Sequence, residues 1–397
     1  MGTNRKADKK LLAGRYDHTV TIILFVLICF GLVMLYSTSY YSAQLKFEDD
    51  LFYFKKQVRN ALISFAVLFV ISKLEYHLLV RLAPLWLLGS YGLMALVKFS
   101  PIGVESYGAK RWLQVPVVGT VQPSELTKIA MILMIAYLVC KKEKDVNSIK
   151  GILGLFFWAI LSSVLTLYLT DHLSAAIIIF GICFIMVFVV TNKYKSLGFL
   201  AVGGIAAAVA GARFLAERLE TSGNFRLVRL LMWVNPEKYL DDGGRQIIQG
   251  LYAIGSGGFF GKGLGNSSQK LGFIPEAQND WILSIICEEL GVFGVIILLS
   301  IFAMLLRELM KIAKEAPDLS GALIVTGIFS HIALQVVLNV CVVINLIPAT
   351  GITLPFISYG GSALMITMGE MGLALSVYRA SLRQKIKEEQ LGDLING

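Results

Sequence analysis

HTVTIILFVLICFGLVMLYST, residues 18–38, contains no Asp, Glu, Lys or Arg. A helix needs about 20 such residues to cross the hydrocarbon core of a bilayer. Comparable runs at 58–74, 78–97, 123–140, 151–169, 173–191, 196–215, 281–306, 319–342 and 361–379 predict about ten transmembrane helices. The second is the shortest in apolar core, flanked by Lys55, Lys56, Arg59 and Lys73, whose long stems reach the interface. Composition agrees: of 397 residues 56% are hydrophobic and only 16% charged, too few charges to cover a soluble surface. The fold class expected is an all-α integral membrane protein, a helical bundle with a large extracytoplasmic loop, 216–280, between helices seven and eight. Its parts are a basic tail 1–17, a membrane domain 18–380 and a tail 381–397. The first run is too long for a signal peptide and has no small-residue cleavage site, so it reads as a retained helix.

The net charge of +9 would suggest nucleic acid in a soluble chain; here it reads as topology. With the amino terminus inside, twenty Lys and Arg fall in cytoplasmic segments and seven in the short outer ones. That asymmetry places both termini in the cytoplasm of a multi-pass protein, long outer loops being exempt from the rule. Cys29, Cys140, Cys183, Cys287 and Cys341 sit in or beside apolar runs without paired spacing and read as small core residues. His18, His77, His172 and His331 form no metal-binding pair.

The long loop is not merely hydrophilic. Residues 225–240 mix Phe225, Leu227, Leu230, Leu231, Trp233 and Val234 with Arg226, Arg229 and Lys238, the pattern of an amphipathic helix on the outer face. Residues 243–272 hold ten glycines. The stretch GSGGFFGKGLG, 255–265, superficially resembles a phosphate loop, but lacks the GK[ST] ending and a preceding strand.

Four further stretches carry polar groups where they are costly. In GAKRWLQVPVVGTVQPSELTK, 108–128, Gln122-Pro123-Ser124-Glu125 reads as a helix start. Glu125 and Lys128 share one face of helix four, either as a self-neutralising pair or with Lys128 offered to an anionic head group. In FIPEAQNDWILSIICEELG, 273–291, Asn279-Asp280 suits a helix cap, while Glu288 and Glu289 lie inside an apolar helix and one should make an internal pair. NLIPATGITLPFISYGGSALM, 345–365, is irregular backbone between two apolar helices, tolerated at membrane depth only where protein buries it or it lines a cavity. Asp171-His172 reads as a cap for helix six.

Together these stretches resemble the SEDS family of bacterial cell-wall assembly, whose members include FtsW, RodA and SpoVE. The matches are GAKRWL (108–113), QPSELTK (122–128), AIGSGGFFGKGLGNSSQKLGFIPEAQND (253–280), EELG (288–291) and ATGITLPFISYGGS (349–362), in the family's order and with ten spans across nearly the whole chain. The region 247–290 is closer to the division branch than to RodA. The resemblance implies a peptidoglycan glycosyltransferase that polymerises lipid II on the outer membrane face. The acceptor 4-hydroxyl attacks C1 of the donor sugar and expels undecaprenyl diphosphate. It implies a catalytic Asp280, Glu125 and Lys128 as substrate-binding residues, and, from the matched motifs, Arg111, Lys270, Ser358, Gly360 and Gly361 with them. It also implies a class B penicillin-binding protein as transpeptidase partner, other divisome or elongation proteins as associates, septal enrichment, and no nucleic acid. The chain departs from the family pattern at Gln278-Asn279-Asp280, where many members have His-Thr-Asp, at Asp171-His172-Leu173-Ser174, where many have Pro-Asp-Leu-Gly, and at Thr350, where some have Lys.

The chemistry suits these residues. A diphosphate leaving group needs cations or a divalent metal (Mg or Mn, with Asp280 a possible ligand), not a strong acid. One carboxylate can deprotonate the sugar hydroxyl. Two other classes fit the span count: a lipid II flippase, although no inverted repeat is evident, and a non-catalytic scaffold for a transpeptidase.

Overall fold

The computed structural model describes residues 2–106, 109–115, 119–141, 145–191, 193–218 and 225–395. Gly108, Pro116, Lys142, Lys144 and loop residues 219–224 lie outside the described residues. Thirteen α-helices are described: α1 (Gly2–Phe47), α2 (Phe52–Lys73), α3 (Tyr76–Arg81), α4 (Ala83–Phe99), α5 (Pro123–Lys141), α6 (Ile149–Thr170), α7 (Leu173–Val190), α8 (Tyr194–Arg218), α9 (Phe225–Val234), α10 (Arg245–Gly257), α11 (Ile282–Lys314), α12 (Leu319–Val343) and α13 (Gly361–Ile395). Six are long and apolar enough to cross a membrane: His18–Phe47 of α1, and α5, α6, α7, α11 and α12. Large apolar side chains such as Phe99 and Phe199 point outward, as lipid-facing residues do.

Several helices depart from the simple spans. The expected span 78–97 is broken into α3 and α4 at Leu82, because Pro84 enters α4 in its first turn and cannot continue the hydrogen-bond ladder from α3. The polar residues of α2 are its inner face: Gln57, Asn60, Ser64 and Ser72 are buried, and α2 packs along α13. The two backbones approach closely, since a Cβ at Gly372 would come within 2.6 Å of the Leu68 carbonyl. α5 is the central element, buried on nearly every side, against α4, α7 and α12.

The chain is not wholly α. Part of the loop before α5 is a three-stranded antiparallel sheet, β1 (Gly103–Ser106), β2 (Ala109–Val115) and β3 (Gly119–Val121), in that order, with Gly103 opposite Leu113 and Leu113 opposite Val121. Exposure, not hydropathy, follows the two faces of β2: Leu113 is buried while Lys110 and Gln114 are exposed. The long loop is itself largely helical. α9 stops at Val234, short of the expected 225–240, and a 3₁₀ turn (Pro236–Tyr239) and a π turn (Leu240–Gly244) lead into α10, which packs on α11.

α11 is interrupted at Gly291, which has φ 70° and ψ −176°. The glycine-rich stretch supplies the missing partners. Lys262 and Gly263 amides donate to the Glu288 and Glu289 carbonyls at 2.9 Å, and Val292 and Phe293 amides donate to Gly258 and Phe259 carbonyls at 3.1 and 3.0 Å. Side chains have no room there: a Cβ on Gly291 would lie 2.2 Å from the Phe259 carbonyl oxygen. The GSGGFFGKGLG segment is thus a backbone splint for a broken helix, which accounts for its glycines without any phosphate.

Candidate functional site

Asp280 lies in the turn before α11, where three segments meet. Asn339 of α12 donates through Nδ2 to the backbone carbonyls of Asp280 (3.0 Å) and Ile352 (2.6 Å). The Tyr359 amide donates to the Gln278 carbonyl at 3.0 Å. Trp281, 1% exposed, is wedged against Gly250 of α10. The irregular 344–360 segment therefore lines this site, and the Asp280 carboxylate is 3.7 Å from where a Cβ on Gly351 would stand. The capping expectation does not hold: Trp281 is the N-cap of α11 and no side chain caps it.

Two guanidiniums lie within electrostatic reach of Asp280. Arg229 arrives from α9 and Arg111 from β2, and the three influence one another electrostatically. Burial pushes the Asp280 carboxyl up to about 6, against the opposing pull of its own backbone amide, Arg229 and Arg111, while the Glu276 charge adds to the rise. Desolvation lowers both arginines, and the Asp280 charge offsets it. A carboxylate poised near neutrality beside two cations is what proton abstraction next to an anionic leaving group requires.

The site continues inward. Arg111 Nη2 donates to the Asp171 carbonyl at 3.4 Å. Asp171 ends α6 in the left-handed conformation with φ 47°, and His172 precedes α7 without a side-chain cap bond, so this pair is not the expected cap. His172 is held near 3 by burial first, then by Arg111, Lys128 and Arg229. Being neutral, it accepts at Nδ1 from Gln122 Nε2 at 2.8 Å. Lys128 pairs with Glu125 at 2.8 Å, both buried, and α5 starts at Pro123 as the sequence indicates. Three residues of this neighbourhood carry buried polar atoms with no hydrogen-bond partner among the described residues: Arg111 Nε, Asn339 Oδ1 and Thr350 Oγ1. Native interiors rarely leave such atoms unpaired, and they suit the polar groups of a ligand.

Not all candidates converge. Lys270 is committed to Glu289 at 2.7 Å, with neither side chain exposed, and donates also to Ser37 Oγ and the Gly265 carbonyl. Ser358 turns back on its own loop, accepting from the Leu354 amide at 2.8 Å. The Gly360 amide donates to Gln57 Oε1 at 3.4 Å, and Gly361 lies against Asn60. Both acidic residues of EELG are paired, not one: Glu288 takes Lys262 at 2.7 Å and the Ser256, Ser267 and Ser268 hydroxyls.

Sequence reasoning left Arg229 among the polar residues of an amphipathic helix and did not use Asn339 at all. Nothing local distinguishes Arg229 from Arg226 or Lys238; a lone Asn in an apolar helix was the only available signal for Asn339. As for a metal, no three His, Cys, Asp or Glu side chains cluster among the described residues. The charges fixed beside Asp280 are guanidiniums, so the protein offers a divalent ion one carboxylate, and a substrate diphosphate would have to complete its shell.

A helical, multi-pass membrane chain with a carboxylate set among cations at the start of an apolar helix fits a membrane-embedded group-transfer enzyme. Residues 17–383 match the FtsW, RodA and SpoVE family of cell cycle proteins. Stage V sporulation protein E of Bacillus subtilis strain 168 is 37% identical over 92% of this chain and 97% of its own length. The probable peptidoglycan glycosyltransferase FtsW of Geobacter sp. strain M18 is 36% identical over 91% and 96%. Among solved structures, a chain of a peptidoglycan synthase complex that coordinates polymerization and crosslinking superposes with TM-score 0.72, at 26% identity over 91% of this chain and 97% of that one. RodA of Thermus thermophilus superposes with TM-score 0.62, at 26% identity over 91% and 95%. The chain belongs to the FtsW/RodA/SpoVE family, the SEDS proteins, and is a glycosyltransferase with a RodA-like fold.

Proposed function

We propose that this glycosyltransferase polymerises lipid II into β-1,4 glycan strands at the outer face of the cytoplasmic membrane, in septal wall synthesis for division or sporulation. The observation that carries the mechanism is the placement of Asp280 against the 344–360 segment and Asn339, within electrostatic reach of Arg111 and Arg229. The Asp280 carboxylate takes the proton of the acceptor 4-hydroxyl as that oxygen bonds to C1 of the donor sugar. The C1–O bond to the diphosphate breaks, and undecaprenyl diphosphate leaves with the electron pair. Arg111, Arg229 and Lys128 are suited to hold that developing charge by charge-assisted hydrogen bonds. Glu125 orients Lys128.

This chemistry needs the segment 216–280 outside, and the charge asymmetry supports that placement with ten spans and both termini in the cytoplasm. A reporter after Lys144 should read cytoplasm and one near Asp242 the outside. The transpeptidase partner is a class B penicillin-binding protein whose single helix packs laterally on the bundle. The decisive experiment is glycan formation from lipid II by the purified chain with that partner. Asp280→Asn should lower polymerisation by at least about two orders of magnitude, and Asp280→Glu should also be impaired, because tolerance for displacement is small. A fully active Asp280→Asn protein overturns the assignment. A flippase would instead move lipid II without making glycan.

A further inference from the structure

Lys128 is the inner cation of the site, and it is one link in a longer buried chain. Its ammonium lies 2.8 Å from Glu125 Oε2 and 3.0 Å from His331 Nε2. The other imidazole nitrogen, Nδ1, lies 2.7 Å from Glu370 Oε2. The row Glu125–Lys128–His331–Glu370 crosses three helices, α5, α12 and α13. The four residues are 6%, 1%, 0% and 0% exposed. Charged groups at such depth are costly and persist where they serve the protein's function.

The order of the contacts fixes their direction. An imidazole whose Nδ1–H is given to a carboxylate presents a lone pair at Nε2. An ammonium can donate to that lone pair, and a second imidazole proton would repel it. Lys128 donates to His331 Nε2 and lies in ion-pair contact with Glu125 Oε2, which leaves N–H capacity for an oxygen of a bound anion. Glu370 is unlike Glu288, which collects donors on both oxygens. Its Oε2 meets His331, and its Oε1 has no hydrogen-bond partner among the described residues. The carboxylate is thus directed at the imidazole alone. Lys128 in turn adds positive potential at His172, as do Arg111 and Arg229, which also act on Asp280.

We propose that His331 and Glu370 are positioning residues for the glycosyl transfer. Glu370 locks the His331 tautomer, and His331 with Glu125 holds the Lys128 ammonium in the pose that receives the donor's diphosphate. The inference rests on the assignment of Lys128 to that diphosphate. It extends the site from the turn before α11 to α13, through groups that never touch substrate.

The test is a double-mutant cycle on the full chain, purified with its transpeptidase, measuring kcat and KM for lipid II. Lys128→Met should lower kcat/KM by about 10²-fold and His331→Leu by about 10-fold or more. If His331 acts only through Lys128, the double variant should be no worse than Lys128→Met alone. His331→Gln, which keeps an acceptor for the ammonium, should recover activity relative to His331→Leu. Glu370→Gln keeps the shape and an acceptor for Nδ1–H, so it inserts and folds even if His331→Leu does not. It should lower kcat/KM in the wild-type background and not in Lys128→Met. Losses that multiply in the double variants, or full activity of both His331→Leu and Glu370→Gln, overturn the proposal while leaving Lys128 at the diphosphate. Full activity of Lys128→Met overturns that assignment and this inference together.

Discussion

Glu288 and Glu289 follow Asp280 by eight and nine residues in one motif, and the structure treats the two sites in opposite ways. The glutamates are wholly buried and almost saturated. Glu288 is met by Lys262, three hydroxyls and the Ser268 and Gln269 amides; Glu289 is met by Lys270, Ser37 and the Ser267 amide. Together they pin the glycine-rich splint to the broken helix α11. Asp280 has cations nearby but no such coordination, and burial raises its carboxyl to about 6. A saturated carboxylate is poorly placed for proton chemistry, because its lone pairs are already taken by fixed partners. An under-coordinated one is better placed, because a small free-energy difference separates its two forms. Two acidic positions in one motif thus serve structure and chemistry respectively, and their neighbours decide which.

The largest expected effect tests the saturated side. Lys270→Met leaves Glu289 buried without its cation, and should cost about 3–5 kcal/mol of stability, read as loss of folded protein in detergent melts. Wild-type stability would return Lys270 to the list of substrate contacts. Asp280→Asn is the mirror case: because its carboxylate caps nothing, thermal unfolding should stay within about 0.5 kcal/mol of wild type while polymerisation collapses. A large stability loss there would erase the contrast. Gly291→Ala tests the splint itself. A Cβ would meet the Phe259 carbonyl at a positive φ, so about 1–3 kcal/mol of destabilisation is expected in the same melts. The smallest effect sharpens the chemical side. A base works deprotonated, so activity should fall as pH drops through about 6. The Arg229 charge pulls the Asp280 carboxyl down, so Arg229→Gln should move that acidic limb to higher pH. A limb that stays in place would show that Arg229 does not set it.

The sequence alone determined that the chain lives in a membrane, where most of its apolar helices run, and that Glu125 and Lys128 share one helix face. These depend on composition and on neighbours within a turn or two along the chain, and such signals survive without a fold. Only the tertiary structure decided what each polar group meets. Arg229 reads as one cation of an amphipathic helix until α9 is docked beside Asp280. Lys270 reads as a substrate cation until Glu289 comes to lie under it. The stretch before α5 gives no sign of a sheet until β1, β2 and β3 pair, and the glycines of 255–265 have no assigned role until they are seen bonding across Gly291. Side chains far apart in sequence meet only when helices pack, and a buried charge takes its role from the partners that packing supplies.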